Sequence, residues 1–124
     1  MKHPIFVYGT VMSSGYNHYL VNEAIYNGET KTTDDVFDLV DLPMFPAAIH
    51  GTNHIAGELY LASNKTLNDL DRLEQNGSFY QRTQIEVEDF PELVWMYMLM
   101  DDVMDTDVFS TISPVDNIVN WKPK

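Results

Sequence analysis

The chain of 124 residues contains no cysteine. Without thiols it cannot form disulfides, use a thiolate as a nucleophile or build the common cysteine-based zinc frameworks. We therefore expect any catalytic group to be an oxygen or a nitrogen atom.

Basic residues are also scarce, with 7 Lys and Arg against 19 Asp and Glu, which gives a net charge of −12. Such an excess of negative charge repels phosphate backbones and anionic lipid surfaces over about a Debye length, ~8 Å. The composition therefore argues against a nucleic-acid partner. A surplus of surface acid can also serve solubility alone.

Long apolar runs are missing as well. No stretch approaches the ~18 residues that a membrane span needs, and His3 and Pro4 stand where a secretory signal would have its apolar core. We expect a cytoplasmic protein that makes no membrane contact. With 124 residues, 44% of them hydrophobic, the chain can bury a sizeable core, and we expect one domain over 1–124.

Hydrophobic periodicity predicts more strands than helices. A fold with strands and helices that do not strictly alternate is α+β, and we expect a small, mixed, highly curved β-barrel with two main helices. The "LPMFPAA" stretch predicts a loop, because its prolines bracket a turn. The predicted helices cover 17–25 and 63–77, and the second is capped by Ser63 or Asn64 and stopped by Gly77. The predicted strands cover 5–8, 36–40, 55–61, 83–87, 93–100 and an edge near 108–112.

One carboxylate lies on the apolar face of the helix predicted over 63–77. On a wheel of 100° per residue, the three leucines of this segment share one direction, and Glu74 lies only about 40° from it. Burial and the negative end of the helix dipole both raise the pKa of a carboxyl group there. A raised pKa suits a general base. The structural alternative is that Glu74 pairs with Arg82 or caps a backbone amide.

The glycine turn after the first predicted strand is a second candidate site. A strand that ends in Tyr8, Gly9 and Thr10 can present bare backbone N–H groups, and such groups bind anions. No lysine follows "GTVMSSG" as it would in a Walker loop, and the chain has no GxSxG nucleophile elbow. The sequence therefore favours neither a nucleotide-phosphate loop nor serine-nucleophile chemistry.

Three tyrosines, Tyr8, Tyr80 and Tyr97, lie on or beside the predicted strands and could orient a polar substrate through their hydroxyl groups. The alternative for each is a core tyrosine with a satisfied hydroxyl.

Two groups of possible metal ligands are weak candidates. His50 and His54 are four residues apart, but the glycine between them argues against a helical zinc pair. The acidic run of Asp101, Asp102, Asp105 and Asp107 lacks the glycine and the closing glutamate of a calcium loop. The sequence predicts no metal site.

Four ordered blocks remain: "FVYGTVMSSGYNHYL" near the start, then "FPAA", "GELY" and "LDRLEQNGSFYQRT". Together they resemble the signatures of the gamma-glutamylcyclotransferase-like family, which includes the AIG2-like and gamma-glutamylamine cyclotransferases. The similarity runs from about residue 4 to residue 99, as the positions of these blocks show.

This resemblance implies a compact mixed β-barrel and a small-molecule γ-glutamyl substrate. It implies that the loop of Tyr8, Gly9, Thr10 and Val11 holds the substrate's α-carboxylate, and that Glu74 is the catalytic acid and base. The reaction would release 5-oxoproline and a free amine or amino acid, with no metal and no cofactor. Val11 replaces the family's usual leucine, which we expect to matter little because the loop acts through its backbone.

Two other functions stay open on the sequence. The chain could be a non-catalytic interaction protein on the same scaffold that uses its acidic surface against a basic partner. It could also remove a γ-glutamyl protecting group in a biosynthetic or modification pathway.

Overall fold

The structure is a computed structural model that describes residues 2–13, 15–42, 45–100 and 110–122. This part of the chain forms nine β-strands, one α-helix and one short 3-10 helix at His18–Val21. The strands and the helix α1 are, in chain order, β1 (His3–Val7), β2 (Ile25–Lys31), β3 (Phe37–Asp41), β4 (Pro46–His50), β5 (His54–Ala62), α1 (Asn64–Leu73), β6 (Tyr80–Ile85), β7 (Val94–Leu99), β8 (Ser110–Thr111) and β9 (Ile118–Val119).

Strand β7 is the centre of the sheet. Strand β6 pairs antiparallel with all six of its residues. Both β1 and β4 pair parallel with it, β1 where Ile5 faces Trp95 and β4 where Ala48 faces Met98. Because β6 occupies one whole edge of β7, β1 and β4 must share the other edge. The sheet therefore forks between β1 and β4, and this fork positions the candidate site.

The remaining strands extend the two arms of the fork. Strand β5 lies antiparallel to both β1 and β2, and β9 pairs parallel with it. On the other arm, β3 pairs antiparallel with β4 and with the short edge strand β8. The predicted mixed, curved α+β sheet is confirmed. Within the described residues the end strands β2 and β8 do not pair, so the sheet is curled rather than closed.

Helix α1 confirms the second predicted helix and begins as the sequence indicates. The Ser63 side chain accepts a hydrogen bond from the Thr66 amide, and Leu70 is buried against the sheet. The predicted stop at Gly77 is wrong. Glu74 is the C-cap, and Gln75 takes the left-handed conformation after it with φ 51°.

The helix predicted over 17–25 is wrong. The chain makes only the single 3-10 turn of His18–Val21 and then enters β2 at Ile25. Ile25 pairs with Leu61 of β5. The apolar spacing of this segment matches a helix, but pairing with β5 decides its structure, as tertiary context often overrides local propensity.

The loop predicted for "LPMFPAA" is wrong from Pro46 onward, because Pro46 is the first residue of β4 and the two alanines after it are fully buried. A proline at the first position of a strand is compatible with pairing because no ladder donor is needed there. The other predicted strands are present with ends shifted by one to a few residues, and the start of the edge predicted near 108–112 lies outside the described residues. No helix in the described ranges has the length and apolar content to cross a membrane.

Candidate active site

A cavity of about 150 Å³ lies at the fork of the sheet. The turn after β1, the first residue of β4, the end of α1 and the first residue of β6 all contribute to its wall. It brings together all of the residues predicted for the site, which are Tyr8, Gly9, Thr10, Val11, Glu74, Tyr80 and Tyr97. Segments distant in sequence therefore converge on one small space.

Glu74 is half-buried at the end of α1 and lines this cavity. Burial raises the pKa of its carboxyl group to about 7. Among the described residues, none donates a hydrogen bond to this carboxylate or forms an ion pair with it. A carboxyl group with this pKa can accept and release a proton near neutral pH.

Arg82, the structural partner considered for Glu74, pairs with another residue. Its Nε atom lies 3.4 Å from Oδ1 of Asp71. Its guanidinium carbon lies 4.4 Å from the centre of the Trp95 ring. The ion pair between Glu74 and Arg82 is therefore absent from the described structure.

The glycine turn lines the same cavity as Glu74. The Met12 amide donates to the Gly9 carbonyl at 3.1 Å and closes a tight turn over residues 9–12. The amides of Thr10 and Val11, in the middle of this turn, donate no hydrogen bond within the described part of the chain. They are the donors available to an anion. A Cβ atom on Gly9 would lie 2.9 Å from the Pro46 ring, so glycine permits the close approach to β4.

Two residues that the sequence analysis did not assign to the site, Asn17 and His18, form hydrogen bonds with this turn. The Asn17 amide donates to the Thr10 carbonyl at 2.8 Å, and its side chain donates to the Thr10 hydroxyl at 2.9 Å. The Nδ1 atom of His18 lies 3.0 Å from the Val11 carbonyl oxygen. These bonds occupy the carbonyl side of the turn and leave the amides free. The only signal in the sequence was the Asn-His pair of the first block.

The hydroxyl groups of all three tyrosines donate hydrogen bonds within the protein. Tyr8 donates to the Tyr97 carbonyl at 2.6 Å, Tyr80 to the Pro46 carbonyl at 2.8 Å, and Tyr97 to Asp71 Oδ1 at 2.6 Å. Burial raises the pKa of all three phenols, so they are neutral at neutral pH. The Tyr8 oxygen already accepts from the Ala48 amide at 3.0 Å, whereas the Tyr80 oxygen can accept a hydrogen bond from a ligand.

The cavity contains both donors and acceptors. The turn offers amide donors, and Glu74 and the Tyr80 phenol oxygen offer acceptors. Amide donors suit a carboxylate, and carboxylate and phenol acceptors suit an ammonium group. The arrangement fits a small molecule that carries both groups.

The weak metal candidates gain no support from the described residues. His54 has its Nδ1 atom 2.8 Å from the Thr32 carbonyl oxygen. No cluster of three or more potential ligands occurs in the described ranges. The acidic run of Asp101, Asp102, Asp105 and Asp107 lies outside them.

Solved structures share this fold. YtfP of Escherichia coli superposes with a TM-score of 0.68 and 30% sequence identity, covering 95% of each chain. An AIG2-like protein from Mus musculus superposes with a TM-score of 0.71 and 22% identity, covering 86% of this chain and 81% of that one. The curled sheet and its cavity therefore define a protein of the AIG2-like fold class.

Sequence comparison gives the family. Residues 5–113 match the family described as gamma-glutamyl cyclotransferase, AIG2-like. The gamma-glutamylcyclotransferase family protein YtfP of Citrobacter rodentium is 33% identical over 94 residues, which cover 76% of this chain and 79% of the relative. The chain belongs to the AIG2-like gamma-glutamylcyclotransferase family, and the resemblance drawn from four sequence blocks is confirmed.

Proposed function

We propose that the chain is a cyclotransferase that converts a γ-glutamyl amine or γ-glutamyl amino acid into 5-oxoproline and a free amine. The observation that carries this proposal is one juxtaposition. The carboxylate of Glu74, which has no partner among the described residues, shares a cavity of about 150 Å³ with the amides of Thr10 and Val11. Membership in a family named for this activity supports it.

The γ-glutamyl group fits the polarity of the cavity. Its α-carboxylate would accept hydrogen bonds from the amides of Thr10 and Val11, which donate to no described residue. Its α-ammonium would donate to Glu74 and to the phenol oxygen of Tyr80. A cavity of this size accepts a small organic molecule rather than a folded chain.

Glu74 would move the protons that the reaction requires. It removes a proton from the α-ammonium, and the resulting amine attacks the γ-carbonyl carbon of the same molecule. A new C–N bond closes the five-membered ring, and the bond to the leaving nitrogen breaks. Two protons leave the α-nitrogen in total and two reach the leaving nitrogen, and Glu74 can relay them in turn.

The ring closure also explains why so few groups suffice. Nucleophile and electrophile belong to one molecule, so binding the folded glutamyl arm supplies the proximity that a bimolecular reaction lacks. The protein must fix the carboxylate, accept a proton and return it. Each task has a candidate group in the cavity.

The direct test is a substrate panel. The protein is incubated with γ-glutamyl derivatives of amines, amino acids and dipeptides, and 5-oxoproline is measured by chromatography. Formation of 5-oxoproline that depends on the protein supports the proposal. Binding of panel members without turnover would instead support a non-catalytic binding protein. Turnover of only a γ-glutamylated biosynthetic intermediate would support removal of a protecting group.

A further inference from the structure

A buried carboxylate, that of Glu58, lies outside the cavity and contacts Ser13, the residue after the glycine turn. Glu58 of β5 is only 6% exposed, and it lines a different groove of the surface. Three hydrogen bonds reach its carboxylate. The Ser13 amide donates at 2.7 Å, the Ser13 hydroxyl at 2.6 Å and the Tyr60 hydroxyl at 3.0 Å.

A buried carboxylate is costly unless its oxygens are satisfied. The described residues supply Glu58 with three donors but no ion-pair partner. Two of these donors belong to Ser13, the residue that follows the turn of residues 9–12. The carboxylate therefore holds the loop, rather than neutralising a cation.

Glu58 is well placed to hold the loop rigidly. It sits in the middle of a paired strand, opposite Val7 of β1 and Glu29 of β2. The turn is thus fixed at both ends, by β1 before Tyr8 and by Glu58 at Ser13. With both ends fixed, the amides of Thr10 and Val11 keep one direction before any ligand arrives.

We propose that Glu58 is a positioning residue that presets the turn for the substrate's carboxylate. The identity of that carboxylate rests on the proposed function above. Preset donors lower the ordering cost that a ligand must otherwise overcome. The turn would hold the substrate's α-carboxylate equally in the ground state and the transition state. Losing the preset turn therefore raises KM and leaves kcat nearly unchanged.

The test compares matched variants of the full chain. Glu58→Ala should raise KM for a γ-glutamyl substrate by about tenfold or more and change kcat by less than about threefold. Glu58→Gln keeps an acceptor for the Ser13 amide and should restore KM to within about threefold of the parent. Glu29 is the neighbour of Glu58 on strand β2, and its carboxylate is exposed. Glu29→Ala should leave KM and kcat unchanged.

A second measurement separates this proposal from the proposed function. Hydrogen exchange of the Ser13 amide, followed by NMR, should quicken in Glu58→Ala whether or not the protein is active. A parent protein that forms no 5-oxoproline overturns the proposed function only. Unchanged exchange at Ser13 in Glu58→Ala, or a fall in kcat as large as the rise in KM, overturns the positioning role.

If Glu58→Ala does not fold, Ser13→Ala replaces it. This variant removes the hydroxyl donor and retains the Ser13 amide and Glu58. It should raise KM by about threefold, and an unchanged KM would overturn the proposal.

Discussion

The Nε atom of Arg82 lies 3.4 Å from Oδ1 of Asp71, so the arginine pairs with a carboxylate that does not line the cavity rather than with Glu74. This pairing leaves Glu74 without a cation among the described residues. Burial then controls its protonation and raises its pKa to about 7. A carboxyl group in this state can serve as a base at neutral pH.

Replacing Glu74 by glutamine should slow turnover strongly while the ligand still binds in the cavity. Glu74→Gln keeps the shape of the side chain but cannot accept the α-ammonium proton, so we expect kcat to fall by at least ~100-fold with ligand binding largely retained. The measurements are 5-oxoproline formation and calorimetric titration of the substrate. Glu86→Gln, an identical change at an exposed position, is the control and should behave as the parent. Retained turnover in Glu74→Gln would remove this residue from the mechanism.

The activity should depend on pH, with a midpoint near the pKa of the Glu74 carboxyl group. Only the ionised carboxylate accepts a proton, so kcat/KM should rise about tenfold per pH unit below the pKa of about 7 and level off above it. A series of initial rates between pH 5 and pH 9 measures the midpoint. Arg82→Lys should leave that midpoint in place, because Arg82 pairs with Asp71. A midpoint near the ordinary glutamate value would contradict the assigned environment.

The same residue should make stability depend on pH. The pKa of Glu74 is 4.5 in the reference state and about 7 in the folded chain, so between these values the folded state binds more protons than the unfolded state. Stability from this group is therefore present below pH ~4.5 and is lost as pH rises through about 7. Glu74→Gln should raise the free energy of unfolding at pH 8 by on the order of 1–3 kcal/mol relative to the parent, and by little at pH 4.

Urea unfolding of both proteins at the two pH values checks this difference, with Glu86→Gln as the matched control. An equal effect of Glu74→Gln at both pH values would show that the folded and unfolded states titrate alike.

The Tyr8 hydroxyl should contribute strongly to stability. It donates to the Tyr97 carbonyl at 2.6 Å and accepts from the Ala48 amide at 3.0 Å, so Tyr8→Phe leaves two buried backbone groups unpaired. We expect a loss of about 1–3 kcal/mol in the free energy of unfolding. Denaturant titration measures it, and Tyr19→Phe provides a control because Tyr19 is 62% exposed. Equal stabilities of the two variants would contradict the bridging role.

The sequence predicted the features of the site that depend on local pattern. The spacing of the leucines on one helix gives the direction of Glu74. The glycine directly after the first apolar run predicts the turn. Neither feature needs knowledge of distant partners. The structure accordingly places both at one cavity.

Features that depend on distant pairing were missed. Ile25 is in a strand because it pairs with Leu61, which no local window contains. The sequence shows Glu58 within a predicted strand and the "GELY" block but does not show its bond to Ser13, which spans 45 residues. Gln75 took the left-handed position that Gly77 was expected to occupy, because the helix ended two residues earlier than the glycine indicated.

The fork of β7 has a consequence for how this cavity can vary. The Tyr8 phenol, directly after β1, bonds the Ala48 amide of β4 and the Tyr97 carbonyl of β7, so widening the cavity there would separate the three strands. We expect substitutions that reshape the pocket to be tolerated better at Leu73 and Gln75, which line it and are exposed. Under the proposed function, such substitutions would change which amine is released while the strands joined by Tyr8 stay in place.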